Sequence, residues 1–236
     1  MGSRSFTTEA LVIGSMRYRE ADRIVTLYTR DRGRLGALAK GVRRLSSKVG
    51  GRLEPFSLVR VSLHPGRGLY TVVGVDTVRT FQSVRDELFR MQEGARLLSW
   101  VRRLFPQEES NPAVFNLLVR AVALLAAADV EGAAKVVLAT RLKLLALLGY
   151  APDLGGCVVC GRSAGLFGYS PARGGLVCDT CLSAGEEGFG LSGAALASLR
   201  ELMARPLAEI ENIPLEPATA AEVEQVLTQT LAYHGH

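Results

Sequence analysis

Histidines and long apolar runs are scarce in this 236-residue sequence, and both absences narrow the possible functions. The three histidines are His64, His234 and His236. No HExxH or GxxxxGK[ST] motif occurs, so metalloprotease and phosphate-loop chemistry have no support in the sequence. We therefore predict that the protein is not an enzyme.

The lack of a long apolar segment bears on location. A membrane helix needs about 20 apolar residues, and the longest candidate, 119–128, runs into Asp129 after roughly half that length. The N-terminus shows no apolar core of a signal peptide. We expect a cytoplasmic, nucleoid-associated protein that has no membrane partner.

Positive charge is abundant but uneven. The net charge is +5, yet residues 1–80 carry 15 Lys and Arg against 6 Asp and Glu, and the remainder is mildly acidic. A single acid, Asp31, interrupts the most basic stretch, residues 30–52. Such a cluster favours a polyanion such as nucleic acid over a solvated loop. The predicted DNA-binding residues are Arg30, Arg32, Arg34, Lys40, Arg43, Arg44, Lys48 and Arg52.

The hydrophobic period predicts an α+β protein. Alternation in the first 80 residues indicates five short strands, at 8–13, 23–29, 34–40, 57–63 and 70–78. Five short strands suit a small closed barrel, and the OB-fold is the commonest barrel of this size that binds single strands. We predict an OB-fold domain over 1–80, with the basic stretch on its rim.

From about Ser83 the period changes to 3.6, which indicates an α-helical bundle. Pro106 should end the first helix, and Asn111 should cap the second. The apolar helix at 132–148 should form the centre of the bundle. We predict an α-helical domain over 81–152 and 186–236, interrupted by an inserted four-cysteine zinc knuckle at 153–185.

Two CxxC pairs separated by 17 residues predict a tetrahedral metal site. Four thiolates leave no open position for water or substrate, so one structural Zn²⁺ is the expected cofactor. An iron–sulfur cluster and a redox dithiol are the alternatives. The predicted ligands are Cys157, Cys160, Cys178 and Cys181.

Four aromatic residues, Tyr18, Tyr28, Phe56 and Tyr70, lie on or beside the predicted strands. Outward-facing rings can stack on bases. Phe56 is expected in the core instead, and Tyr18, between Arg17 and Arg19 in a predicted turn, is the best candidate for base stacking.

The order and spacing of several segments resemble the bacterial RecO family of recombination mediators. The resemblance covers about residues 8–185, and the last 50 residues add no motif to it. The segments that carry the resemblance are residues 10–13, 18–22, 27–35, 39–44, 53–56 and 144–152, followed by the four cysteines with 174–178.

The resemblance implies a three-part protein that binds single- and double-stranded DNA and anneals complementary strands. It implies RecR as a partner, RecA as the protein loaded onto DNA, and contact with the acidic C-terminal tail of single-strand-binding protein (SSB). By position, Lys40, Arg43 and Arg44 are the first choices for DNA contact. The tail should dock on the helical bundle, and the candidate contacts are Arg120, Arg141 and Lys143.

Two other classes of function are open at this point. A general zinc-ribbon or OB module in transcription or RNA processing would explain the basic stretch and the cysteines. A metalloenzyme would need an open metal position, which four cysteine ligands do not leave. Comparing RNA with DNA binding and testing strand annealing would separate the first class from a mediator.

Overall fold

The computed structural model describes residues 4–44 and 49–234. The chain divides into two compact units, Met1–Ala133 and Ala134–His236. Lys48, one of the predicted DNA-binding residues, lies outside the described residues. Within the described ranges, every helix is too short or too polar to cross a membrane. The predicted three-part domain division stays a prediction.

The first unit contains a closed barrel, as the alternating pattern predicted. Its five strands are β1 (Phe6–Tyr18), β2 (Asp22–Thr29), β3 (Gly33–Ala39), β4 (Leu58–His64) and β5 (Tyr70–Arg79). They follow one another around the barrel in the order β1, β2, β3, β5, β4, with β3 and β5 parallel and the other pairs antiparallel. This confirms the predicted five-stranded OB-like barrel.

The two faces of the strands are buried in different ways. On β4, Val59, Val61 and Leu63 fill the barrel, whereas Arg60 between them is exposed. β1 is buried on both faces at its centre, since Leu11 lies outside the barrel core and is nevertheless fully buried. Helices that pack on the outer face of β1 account for this burial.

Three helices complete the first unit: α1 (Gln82–Asp86), α2 (Leu88–Leu104) and α3 (Pro112–Leu125). The Asn111 side chain caps α3 by accepting a hydrogen bond from the Val114 amide at 3.1 Å, as predicted. Phe56 is buried, as predicted, and packs at Gly94 of α2. A Cβ at Gly94 would lie 2.6 Å from the Phe56 ring, so α2 can approach the barrel only because this residue is glycine.

The second unit joins a helical part to a small sheet. The elements are α4 (Val130–Leu147), β6 (Leu166–Ser170), β7 (Gly175–Cys178), α5 (Asp179–Ser183), β8 (Phe189–Gly190), α6 (Gly193–Ala204), a 3₁₀ helix (Leu207–Asn212) and α7 (Pro217–His234). The sheet has the strand order β7, β6, β8, and the Tyr169 hydroxyl ties it to α7 through the Thr230 hydroxyl at 2.7 Å. Leu142 and Leu145 on α4, which begins at the end of the first unit, are fully buried, as predicted for the central helix.

Candidate nucleic-acid interface and metal centre

The basic stretch divides between the two ends of the barrel. Strand β2 runs from the β1–β2 turn at one end to the β2–β3 turn at the other, and β3 returns to the first end. We call residues 17–23 with 40–44 the basic end. We call the β2–β3 turn, residues 30–32, together with Arg34 the helix-facing end.

At the helix-facing end, the arginines serve the fold. Arg30 forms an ion pair with Glu9 at 2.9 Å, and its guanidinium lies 5.1 Å from the Phe115 ring centroid. The Arg34 Nε donates to the Phe105 carbonyl at 2.8 Å, and Arg32 stacks over Phe6 at 4.1 Å. These side chains join the barrel to the helices of the first unit and to its own strands.

Arg52 is likewise engaged within the barrel. Its guanidinium donates to the Val75 carbonyl at 2.7 Å and lies 3.7 Å from the Asp76 carboxylate. Since both partners belong to β5, Arg52 attaches the 3₁₀ turn Gly50–Leu53 to that strand. Its predicted DNA contact stays a prediction, and its charge is already partly balanced.

At the basic end, Arg23 pairs with Glu54 at 2.6 Å, but three other cations lack such acidic partners among the described residues. Lys40, Arg43 and Arg44 are all exposed, and the residues that the structure describes place no carboxylate within salt-bridge distance of them. A like-charged group without internal counter-ions is the electrostatic arrangement that a polyanion would neutralise. These three were the first choices for DNA contact, and the contact itself stays a prediction.

Hydrogen bonds hold the two segments of the basic end together. The Arg43 amide donates to the Ala21 carbonyl at 3.0 Å, and its guanidinium donates to the Glu20 carbonyl at 2.8 Å. The Gly41 amide donates to the Asp22 carboxylate at 2.8 Å. The β1–β2 turn and the start of the β3–β4 loop therefore form one surface.

Two exposed arginines on this surface were not among the predicted DNA-binding residues. Arg17 ends up exposed on β1 because the strand continues past its predicted end at Ile13 to Tyr18. Arg19 follows in the turn, also exposed. Their position flanking Tyr18 was visible in the sequence, but nothing there showed that their turn lies against the β3–β4 loop.

Tyr18 is the accessible member of the aromatic set. It is 37% exposed, and the Arg19 guanidinium lies 5.2 Å from its ring centroid. Tyr28 and Phe56 are buried, and Tyr70 packs edge-on against Phe6. The predicted base stacking by Tyr18 stays a prediction, although its exposure leaves the ring available.

The four cysteines come together, as their spacing predicted. All four sulfur atoms lie within 4.8 Å of one another, and the Cys160 and Cys178 sulfurs are 3.7 Å apart. Tetrahedral zinc with Zn–S bonds of about 2.3 Å requires sulfurs about 3.8 Å apart. The donor set therefore fits a tetrahedral metal ion. A coordination shell filled by four thiolates is closed, which suits a structural site.

Local backbone geometry brings the thiols into place. A tight turn after Cys157, closed by Gly161 in a left-handed conformation at φ +77°, holds Cys160 next to it. Cys178 ends β7, and Cys181 follows one turn later on α5. Burial raises the pKa of Cys157, but hydrogen bonds to its sulfur outweigh burial and lower its pKa to about 6. Cys181 donates to neighbouring sulfurs, chiefly that of Cys178, which raises its pKa to about 12.

The residues predicted for the SSB tail differ in their surroundings. Arg120 is exposed on α3 in the first unit. In the second unit, Arg141 is buried and forms a two-pronged ion pair with Glu224 at 2.6 and 2.8 Å. Lys143 donates to the Met203 carbonyl at 2.9 Å, and burial lowers its pKa. Tail binding stays a prediction, and both residues of the second unit already have partners within the protein.

Together, the closed five-stranded barrel, the helices and the cluster of four cysteines, which could hold a metal ion, define an OB-like domain followed by a helical region with a cysteine knuckle. Comparison with known proteins shows which family has this arrangement. The family description "Recombination protein O N terminal" matches residues 1–81, and "Recombination protein O C terminal" matches residues 85–235. The chain belongs to the RecO family of DNA repair proteins, which act as recombination mediators and are not known as a family of catalysts.

Relatives that match nearly the whole chain are named DNA repair protein RecO. The chain is 38% identical to the DNA repair protein RecO of Rubrobacter xylanophilus over 232 residues, which is 97% of this chain and 90% of the relative. It is 34% identical to that of Pelotomaculum thermopropionicum, over 97% of this chain and 89% of the relative. It is 31% identical to that of Symbiobacterium thermophilum, over 94% of this chain and 89% of the relative.

Proposed function

We propose that this protein is a non-enzymatic recombination mediator that binds single- and double-stranded DNA without sequence preference. It anneals complementary strands and, with RecR, loads RecA onto DNA coated by SSB. One observation supports the DNA contact most directly. Lys40, Arg43 and Arg44 lie exposed at one end of the barrel, and the described residues offer them no carboxylate partner.

The proposed mechanism follows from charge. Two DNA strands repel one another, and cations that contact phosphates release counter-ions and reduce that repulsion. Contacts to phosphates position a nucleic acid but do not read its sequence. Lys40 and Arg44 supply such contacts, so any two complementary strands can be brought together. Tyr18 at the same end offers a ring for base stacking, which tolerates every base.

We further propose that the cysteine cluster holds one structural Zn²⁺. The ion would cross-link the turn at Cys157 to the start of α5, a segment rich in loops that has few apolar residues of its own to fold around. Metal content measured by atomic absorption should give one zinc per chain. The variant Cys157→Ser should lose the zinc and melt at a lower temperature, whereas a stable, metal-free wild-type protein would contradict the proposal.

For the SSB tail, we propose a site on the helical bundle. Arg120 is the first residue to test, because Arg141 and Lys143 already bind Glu224 and the Met203 carbonyl. The variant Arg120→Ala should weaken binding of a peptide with the tail sequence, measured by fluorescence anisotropy. An unchanged affinity would remove Arg120 from the proposed site.

A strand-annealing assay tests the mediator function itself. Two complementary oligonucleotides, each coated with SSB, should anneal faster when the wild-type protein is added. The variant Lys40→Ala/Arg43→Ala/Arg44→Ala should lose most of this acceleration, and Lys40→Ala/Arg44→Ala should lose part of it at the wild-type melting temperature. If the wild-type protein does not accelerate annealing, or if it prefers RNA, the proposal is wrong.

A further inference from the structure

Arg43 differs from its basic neighbours because it is bound to the β1–β2 turn through both its backbone and its side chain. Its amide donates to Ala21, and its Nη1 donates to the Glu20 carbonyl at 2.8 Å and approaches the Arg19 carbonyl at 3.4 Å. All three acceptors are main-chain atoms of one turn. An arginine that only contacted phosphate would not need these hydrogen bonds to the turn.

The turn that Arg43 binds has an unfavourable backbone. Arg19 adopts a left-handed conformation at φ +51°, which residues with a Cβ rarely populate unless the surroundings fix it. The hydrogen bonds from Arg43 are such a constraint. Without them, Arg19 and its neighbours would have less reason to keep this arrangement.

The same turn carries cations that extend the basic surface. In the strand register, Arg17 lies opposite Arg23, and Arg23 lies opposite Ala39, which directly precedes Lys40. Arg17 and Lys40 therefore lie in adjacent cross-strand rows at the same end of these three strands. Arg23 pairs with Glu54 at 2.6 Å, whereas the described residues give Arg17 no acidic partner.

The acids of this end are outnumbered by its cations. Asp22 accepts the Gly41 amide at 2.8 Å, so its carboxylate closes the junction between the two segments. Glu20 is exposed in the turn, and Arg43 bonds its backbone carbonyl rather than its carboxylate. These two acids stand against six Lys and Arg residues in 17–23 and 40–44, so the net charge of the basic end is +4.

We propose that Arg43 is a positioning residue that fixes the β1–β2 turn, so that Arg17 and Arg19 join Lys40 and Arg44 in one binding site for the phosphate backbone of nucleic acid. This inference rests on the proposed function, because it assumes that the basic end contacts DNA. The inference adds the β1–β2 turn to the DNA-binding site. It also gives Arg43 a structural role, fixing that turn, in addition to its positive charge.

Non-additive losses of salt dependence would reveal this role. The quantity to measure is the slope of log K against log[salt] for a random-sequence duplex, which falls by about 0.9 for each phosphate contact removed. The variants are Arg43→Ala, Arg17→Ala/Arg19→Ala and the combination of all three substitutions. Arg44→Ala is the matched control, because it removes the same charge one residue away without breaking a bond to the turn.

We expect Arg43→Ala and Arg17→Ala/Arg19→Ala each to reduce the slope by about 2, and the combination to reduce it by little more, whereas Arg44→Ala reduces it by about 1. If Arg43→Ala matches Arg44→Ala and the losses add to about 3, Arg43 acts by charge alone and the inference is wrong. If Arg43→Ala lowers the melting temperature, the inference is tested by the variant Arg17→Ala/Arg19→Ala alone. An unchanged salt slope in that variant overturns the inference. A wild-type protein with no salt-dependent binding would instead overturn the proposed function.

Discussion

Both ends of the barrel carry several arginines, but they use them differently. At the helix-facing end, Arg30 and Arg34 bind Glu9 and the Phe105 carbonyl, and Arg32 covers Phe6. At the basic end, Lys40 and Arg44 have no acidic partner among the described residues. A cation bound within the protein contributes to stability, whereas one without a partner remains available to a ligand.

The comparison predicts that stability and DNA binding separate between the two ends. Substitutions at the helix-facing end should lower the free energy of unfolding and leave the salt dependence of DNA binding unchanged. Substitution of Lys40 or Arg44 at the basic end should lower the salt dependence and leave the free energy of unfolding unchanged.

The largest expected effect comes from a pair of glycines with similar backbones. Gly33 and Gly41 have φ values of +63° and +66°. A Cβ at Gly33 would lie 1.8 Å from the Glu109 carbonyl oxygen, whereas at Gly41 the nearest atom, on Arg44, is 3.9 Å away. Gly33→Ala should therefore cost at least about 3 kcal/mol of unfolding free energy, because main chain must move. Gly41→Ala should cost about 1 kcal/mol for the left-handed conformation alone.

Urea denaturation of both glycine variants measures this difference. Equal losses for the two variants would mean that the close approach of residues 33 and 109 does not constrain the helix-facing end.

A smaller loss is expected from Arg34→Ala. Removing the guanidinium leaves the Phe105 carbonyl without its 2.8 Å hydrogen bond, which should cost about 1–2 kcal/mol. The salt slope of DNA binding should stay at the wild-type value, since Arg34 is engaged at the other end of the barrel. A lower slope without a loss of stability would show that Arg34 contacts DNA, against the proposed separation of the two ends.

The smallest effect concerns Tyr28, beside Phe105. Its hydroxyl is buried and finds no hydrogen-bond partner among the described residues, so Tyr28→Phe should stabilise the protein by about 1 kcal/mol. Tyr169→Phe is the control, since it breaks the bond to Thr230 and should destabilise by about 1 kcal/mol.

The same tyrosine gives a pH dependence. Burial, and secondarily the charge of Glu109, raises the pKa of Tyr28 above its ordinary value. The folded state therefore holds the proton more tightly than the unfolded state, and stability is lost as the pH rises above about 10. Tyr28→Phe should lose less stability than the wild type between pH 9 and pH 11, roughly the range around the ordinary tyrosine pKa. Parallel curves for the two proteins would contradict the raised pKa.

Much of the fold could be predicted from local sequence patterns. Alternation on β4, the Asn111 cap and the CxxC spacing each depend on residues a few positions apart. The end of β1 was wrong in the sequence prediction, because Gly14 and Ser15 interrupt the apolar pattern. The structure accommodates them with a bulge between Val12 and Gly14, and the strand continues.

The division of the basic stretch could not be predicted, because it depends on distant partners. Arg34 and its acceptor Phe105 are 71 positions apart, and Arg43 binds a turn more than 20 positions earlier in the chain. A count of charges treats these arginines alike. Only the folded chain shows which of them are bound within the protein.

One measurement tests the central claim most directly. The salt slope of duplex binding is compared for wild type, Lys40→Ala/Arg44→Ala and a control, Arg96→Ala/Arg103→Ala, which removes two exposed charges from α2. We predict that the first variant lowers the slope by about 2, at an unchanged melting temperature, and that the control leaves it unchanged. A wild-type slope in Lys40→Ala/Arg44→Ala, or equal losses in both variants, would contradict the assignment of DNA binding to the basic end.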